Sequence, residues 1–373
     1  MKRFSLGILF IFFTGISQLS GQSLNSIWLC DLNDEISETS GLLWVNDSLW
    51  THNDSGNEAK LYCIDTISGN IIGEKQIVNA TNKDWEAISA DTNFIYIGDF
   101  GNNNGDRSDL CIYKLDKAQF SESNTLIADT INFYYPNQSS FDWESHAHNF
   151  DCEAMIATSD SLYLFSKNWE NEKTYLYALP KQSGNYAANL KDSLDVGALI
   201  TDADYNPETG EILLLAYSSN LSASYLYLLK NYPENDFFDG LQMQINLSLV
   251  LHQTEAVSFL DNQQILFSNE SFFNVNAGLR RANLNDLNNL IDEAISKTNP
   301  VFYPNPAKNS IEFSECSRFD AIRIYDIKGA VVYEKSITSD SFTVKIQCFK
   351  PGTYHVEYES KFERFVDVLV VGY

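Results

Sequence analysis

Short apolar runs, each broken by a small polar turn, follow one another along most of the first 300 residues. One acidic residue opens these runs at a constant offset: Glu86, Glu153, Asp204 and Glu255 are each followed, twelve residues later, by the end of a second apolar run at Gly98, Phe165, Ala216 and Phe267. An earlier copy begins at Glu38 and ends at Thr51, one residue out of that register. Repeats of about 50 residues that contain only short strands predict the blades of a β-propeller.

Each repeat reads as four strands. The first spans 41–45, 49–51, 61–64 and 71–75, and the second 87–90, 94–98, 110–115 and 130–135. The third spans 154–157, 162–165, 175–179 and a weaker 190–194; the fourth spans 203–205, 212–216, 225–229 and 243–247. Their third strands share a pattern, Leu61-Tyr62-Cys63-Ile64, Ile112-Tyr113-Lys114-Leu115, Leu176-Tyr177-Ala178-Leu179 and Leu226-Tyr227-Leu228-Leu229. Turn residues such as Asn46-Asp47 and Asn206-Pro207-Glu208-Thr209-Gly210 fall where hairpins need them. A fifth repeat has three strands, 256–260, 264–267 and 278–282, while one strand, 26–30, stands alone before the first repeat. If that lone strand completes the fifth blade, the ring closes without an exposed edge. The expected fold is therefore all-β with five blades, or six if 283–297 or the segment before Cys152 holds a degenerate one.

After a boundary near 297–300 the repeat stops. The tail alternates apolar and polar residues at Ile322-Arg323-Ile324-Tyr325, Val331-Val332-Tyr333 and Tyr354-His355-Val356-Glu357-Tyr358, which predicts a small immunoglobulin-like β-sandwich. The domains so read are 1–21, 22–297 and 298–373. The first of these carries Lys2 and Arg3, an apolar stretch from Leu6 to Gly15 and small residues at Leu19-Ser20-Gly21, the layout of a secretory signal peptide. No later stretch is apolar enough to be a transmembrane segment.

Composition sharpens this picture. Fifty Asp and Glu against 25 Lys and Arg give a net charge of −25, which repels phosphate backbones and argues against nucleic acid as a partner. Six cysteines (Cys30, Cys63, Cys111, Cys152, Cys316, Cys348) show no CxxC spacing. Cys316 and Cys348 share the C-terminal segment and are a candidate disulfide; the others read equally well as buried thiols.

In a propeller blade the first strand is innermost, so its start and the end of the second strand lie on one face. The repeated acids should therefore ring one mouth of the central channel. Glu38, Glu86, Glu153, Asp204 and Glu255 are candidate metal ligands, because like charges near one axis need a neutraliser and oxygen donors suit Ca²⁺. An alternative is that these acids accept backbone N–H bonds from the next blade and brace the ring. Loops on the same face supply candidate ligand-binding residues Asp54, Asp99, Asn102, Arg107, Lys167, Asn269 and Glu270, with Arg107 and Lys167 suited to an anion. His52 and His148 are the candidate acid–base residues.

Two resemblances add to this reading. Phe302-Tyr303-Pro304-Asn305-Pro306-Ala307, Ile324-Tyr325-Asp326-Ile327-Lys328-Gly329 and Lys350-Pro351-Gly352-Thr353-Tyr354 resemble, in order and spacing, the type A C-terminal sorting domain of the type IX secretion system. That resemblance implies a Bacteroidetes-type bacterium, the secretion machinery as a partner of residues 301–373, and a destination outside the cell or on the outer-membrane surface. His52-Asn53-Asp54-Ser55-Gly56, Asp84-Trp85-Glu86, Gly98-Asp99-Phe100-Gly101-Asn102-Asn103 with Arg107, Asp151-Cys152-Glu153-Ala154 and Thr254-Glu255-Ala256-Val257 resemble uncharacterised bacterial propellers similar to phytase-like and esterase-like calcium propellers. Ala stands here where that group has Gly. The expectation is an exported propeller whose acid-ringed face binds a ligand with calcium. A metal-dependent hydrolase of the phosphoesterase or lactonase type, with His52 or His148 activating water, is one alternative. A glycan- or peptide-binding module using Trp85, Trp143 and Trp169 is another.

Overall fold

The computed structural model describes residues 18–287, 301–314, 316, 319–360 and 364–372. It divides into two compact units, one through Leu287 and one that takes in the C-terminal segment. Most of the expected signal peptide lies outside the described residues.

In the first unit the described residues form five sheets, numbered I to V here. Sheet I holds Thr39–Val45, Ser48–Asn53, Lys60–Ile64 and Ile71–Ile77. Sheet II holds Trp85–Ala90, Phe94–Asp99, Cys111–Asp116 and Asp129–Tyr134. Sheet III holds Asp151–Ala157, Ser161–Lys167, Lys173–Pro180 and Asn189–Asp195. Sheet IV holds Leu199–Asn206, Glu211–Tyr217, Ser224–Lys230 and Leu241–Asn246. Sheet V holds Thr254–Phe259, Gln264–Asn269 and Gly278–Asn283, and its outermost strand is the N-terminal Ser26–Asp31. That strand pairs antiparallel with the last one, Ser26 opposite Ala282 and Asp31 opposite Gly278, so the two chain ends of the ring seal each other.

The first strand of each sheet is buried almost throughout and neighbours the first strands of the sheets before and after it, the last returning to the first. This is a propeller ring. Apolar layers fill the wedges between sheets: Trp50, Leu61, Ile88 and Tyr113 between I and II, and Tyr96, Phe133, Met155 and Tyr177 between II and III. Three sheets gain a further parallel strand that the hydrophobic pattern did not reveal, Thr125–Leu126, Gly184–Ala187 and Gln18–Ser23. The last overlaps the cleavage site expected at Leu19-Ser20-Gly21.

One irregularity recurs and positions the site. Near its start each first strand bulges, leaving one residue unpaired against the second strand. The bulged residues are Ser40, Glu86, Glu153, Thr201 and Glu255.

The second unit has two antiparallel sheets. One joins Val301–Tyr303, Ser310–Ser314 and Phe342–Lys345; the other joins Val331–Ser336, Ala321–Asp326, Gly352–Glu359 and Arg364–Val371. Their alternating residues Phe302, Ile311, Phe313, Ile322, Ile324 and Val356 share one core. Cys316 is buried within that core and Cys348 is exposed, while the four cysteines of the first unit are buried thiols.

Candidate functional site: an acidic channel mouth

The bulges turn three carboxylates toward one end of the channel. Glu86, Glu153 and Glu255 line a cavity of about 160 Å³ there, together with Asp54 and Glu270 from the ends of second strands. Every sheet contributes a side chain, sheet I through Ser40 and sheet IV through Tyr217. The Ser40 hydroxyl donates to Glu86 Oε2 at 3.1 Å.

This clustering has an electrostatic cost that the protein meets in two ways. On one side, Lys167 donates to both oxygens of Glu153, at 2.7 and 2.6 Å, and lies 3.0 Å from the Tyr217 hydroxyl. Burial alone would lower this ammonium, but Glu153, Tyr217 and Glu255 outweigh it and hold it protonated. Its three donors are used internally, so it is not the free anion clamp expected of it. Lys167 also sits 4.8 Å above the Trp169 ring.

On the other side stands a group with no such cation. One oxygen each from Asp54, Asp84 and Glu86 falls within 4.8 Å of the others. Burial, then the charges of Asp54 and Asp151, pushes Asp84 up to about 7. Burial, then Asp54 and Glu153, drives Glu86 well above the usual carboxylate range. Glu270 is pushed up to about 7 by burial and by Asp54. The backbone passes close beside this group at Gly101, whose N–H donates to the Asp84 carbonyl at 3.2 Å. A Cβ at Gly101 would collide with the carboxylates of Asp84 and Glu86, so any larger residue there would have to push them aside.

Other expected residues hold the site rather than line it. Arg107 pairs with Asp99 at 2.9 Å and with Asp109 at 3.2 Å, and donates to the Gly101 carbonyl at 2.8 Å. Asp99 also accepts the Asp84 N–H at 3.1 Å, and Asn102 donates its N–H to Asp151 at 2.7 Å. These residues lock the Gly101 loop against the carboxylates. Asn269 donates to the carbonyls of Glu270 and Asn276 at 3.0 and 2.8 Å and so fixes the loop that carries Glu270.

Four placements correct the sequence reading. Asp204 is not at this mouth: it accepts the N–H of Phe259 at 2.7 Å and the Ser258 hydroxyl at 3.2 Å, bracing sheet IV to sheet V at the other end of the channel. The turn 206–210 lengthens that hairpin, so counting back from its second strand stops three residues short of the bulge, which is Thr201. Glu38 is exposed on the rim, where it accepts Asn57 Nδ2 at 2.8 Å, and Ser40 takes the bulge instead. His52 is sealed behind Gly41 and against Trp85, with Nδ1 3.1 Å from the Asn53 carbonyl; burial lowers it to about 4. His148 accepts the Phe150 N–H at Nδ1, 3.1 Å, which leaves Nε2–H to donate to the Asn103 carbonyl at 3.2 Å.

Of the expected aromatic platforms, only Trp169 lines the cavity; Trp85 is fully buried and Trp143 packs beside His148 and Phe150. Tyr217 was not seen from sequence, and His146 and Asp84 were not among the candidate site residues, although Asp84 stands in the Asp84-Trp85-Glu86 motif that resembles the calcium propellers. His146 lines the cavity with its ring 4.2 Å from that of Trp169. Asp84 and Tyr217 were within reach of the pattern: one lies two residues before a bulged acid, the other one residue past the end of an expected strand.

Residues 301–372 match the family described as the secretion system C-terminal sorting domain. The chain is thus one exported by type IX secretion, to the cell surface or beyond it. No helix among the described residues is long and apolar enough to cross a membrane. No curated protein matches the sequence. Among solved structures, the chain is similar to PorZ, a surface component of the type IX secretion system of Porphyromonas gingivalis, at 11% identity and a TM-score of 0.34. That alignment covers 90% of this chain and 45% of PorZ, so the chain spans less than half of that protein's length. It is also similar to an exo-β-1,3-galactanase from Phanerochaete chrysosporium (11% identity, TM-score 0.41, covering 95% and 97% of the two chains) and to apo AztD from Citrobacter koseri (10%, 0.32, 82% and 89%). At such values these likenesses carry no functional argument.

Proposed function

We propose that this exported propeller captures a ligand at its acidic mouth, with a calcium-type cation held by Asp54, Asp84 and Glu86. The observation that carries the reading is the approach of their three carboxylate oxygens to within 4.8 Å while Lys167 is committed to Glu153. All three donors are oxygens, which suits a hard cation that takes about six to eight oxygen ligands. Any side chain at Gly101 would displace the carboxylates of Asp84 and Glu86. When bound, the ion would neutralise this side of the mouth and leave coordination positions for an oxygen-bearing ligand. Ligand capture is favoured over hydrolysis because His52 and His148 face inward. His146, which does line the cavity, has Ser145 rather than a carboxylate 3.3 Å from Nδ1.

Equilibrium dialysis with Ca²⁺ and thermal melts with and without chelator test this on the full chain. Added Ca²⁺ should raise the melting temperature by mass action, by about 2.7 kcal/mol of stability at one hundred times the Kd. Glu86→Gln and Asp84→Asn should remove most of that response, and Glu38→Gln should leave it intact. A protein that retains no metal and ignores chelator would end this reading.

A further inference from the structure

The opposite end of the channel carries a second, wider opening of about 600 Å³, within the range of small-ligand sites. Trp44, Tyr205 and Phe259 line it from sheets I, IV and V, Phe259 largely buried. Its carboxylates are already engaged. Asp204 braces Phe259 and Ser258, Asp91 accepts the N–H groups of Asn93 and Phe94 at 2.8 Å, and Asp261 accepts those of Gln263 and Gln264 at 2.7 Å. Glu208 accepts Asn262 Nδ2 at 2.8 Å.

Three of its donors are not engaged. Among the described residues the Trp44 indole N–H, the Tyr205 hydroxyl and the Lys117 ammonium have no hydrogen-bond or ion-pair partner. Lys117 is half withdrawn from water without a counter-charge at contact, a condition that an anionic ligand would relieve. Burial depresses it, and Asp91 opposes this only in part. The wall thus offers aromatic side chains and three unfilled donors while each of its carboxylates already has a partner, which calls for a ligand with apolar ring faces and many oxygen acceptors.

We propose that this wider mouth binds an acidic carbohydrate, with a hexuronate ring against Trp44, Tyr205 and Phe259 and its carboxylate at Lys117. The chain's net charge of −25 opposes an anion at long range, so affinity rests on these short contacts. The site is separate from the acidic mouth and stands whether or not that mouth holds calcium.

Isothermal titration of the full chain with trisaccharides of galacturonate, glucuronate and mannuronate, each as free acid and as methyl ester, tests it. At least one free acid should bind more tightly than its ester. Lys117→Met should weaken the acid by about tenfold and leave the ester unchanged, and Trp44→Ala should weaken both. Trp44→Phe, which keeps an aromatic face, should retain most binding and guards against misfolding of the Ala variant. The proposal is overturned if none of the sugars binds, if acid and ester bind alike with Lys117→Met neutral, or if Glu86→Gln rather than Trp44→Ala abolishes binding.

Discussion

Lys167 and Glu153 form a two-point ion pair, 2.6 and 2.7 Å long, in which both side chains are about 95% buried. Glu153 occupies the bulge of sheet III and Lys167 ends the strand beside it. The pair therefore sets the polarity of the whole mouth: it neutralises one flank and leaves Asp54, Asp84 and Glu86 as an unpaired acidic group on the other.

Removing one member of a buried pair leaves an uncompensated charge, typically at a cost of about 3–5 kcal/mol. Lys167→Met should show a loss of that order in urea unfolding. The double variant Lys167→Met with Glu153→Gln should recover most of it, because the bulge residue is then neutral too. A single variant within about 1 kcal/mol of the parent would show that the pair does not hold the mouth together.

The acidic flank predicts an inverted pH response. Asp84, ordinarily near 3.8, and Glu270, ordinarily near 4.5, both rise to about 7 in the folded protein. Between those values the folded chain holds protons that the unfolded chain has released, so this contribution is fully present below about pH 4 and is lost as pH rises through about 7. A cation on Asp84 competes with the same proton, so stabilisation by Ca²⁺ should be small near pH 5 and grow toward pH 8. Melts in chelator and in Ca²⁺ across that window measure both effects, and Asp84→Asn should flatten the chelator curve. A calcium response of equal size at every pH would contradict the competition.

Most of the ring was legible because its strands are buried on both faces and end at turn residues of fixed chemistry. Glu86, Glu153 and Glu255 were legible for the same reason: the bulge sits at a fixed distance from the first hairpin wherever that hairpin is short. Where the hairpin lengthens at 206–210, the count lands on Asp204, and where the bulge is occupied by Ser40 the nearest acid, Glu38, misleads. His52 could not be placed from sequence, because its burial depends on the absence of a side chain at Gly41, eleven positions away. The commitment of Lys167 to Glu153 is a contact between facing strands that spacing alone does not fix. The strand Gln18–Ser23 was absorbed into the expected export signal, since apolar and small residues serve both.

Ring closure gives a stability test. Ser26–Asp31 is the outer strand of sheet V, and Trp28 lies over Gly278, with the Arg280 guanidinium 4.7 Å from its ring. Removing the chain through Asp31 would expose the edge at Gly278–Asn283 and uncover Leu279, at a cost on the order of several kcal/mol. The melting temperature of that truncation should fall by many degrees, and the strand supplied as a peptide should restore part of it. An unchanged melting temperature would show that the ring is sealed some other way.

The sorting domain makes the sharpest prediction about the cell. The ring, its closure and both channel mouths are built from residues before 288, and the family match begins at Val301. Deleting 301–373 should therefore leave a folded first unit with the same calcium response as the parent. Without its address, that unit should accumulate in the periplasm and be missing from the medium and cell surface. Fractionation of cells expressing the two forms measures the address, and a melt of the periplasmic protein separates lost export from lost folding. Folded, truncated protein found outside the cell at the parental level would mean that residues 301–373 are not what sends this propeller out.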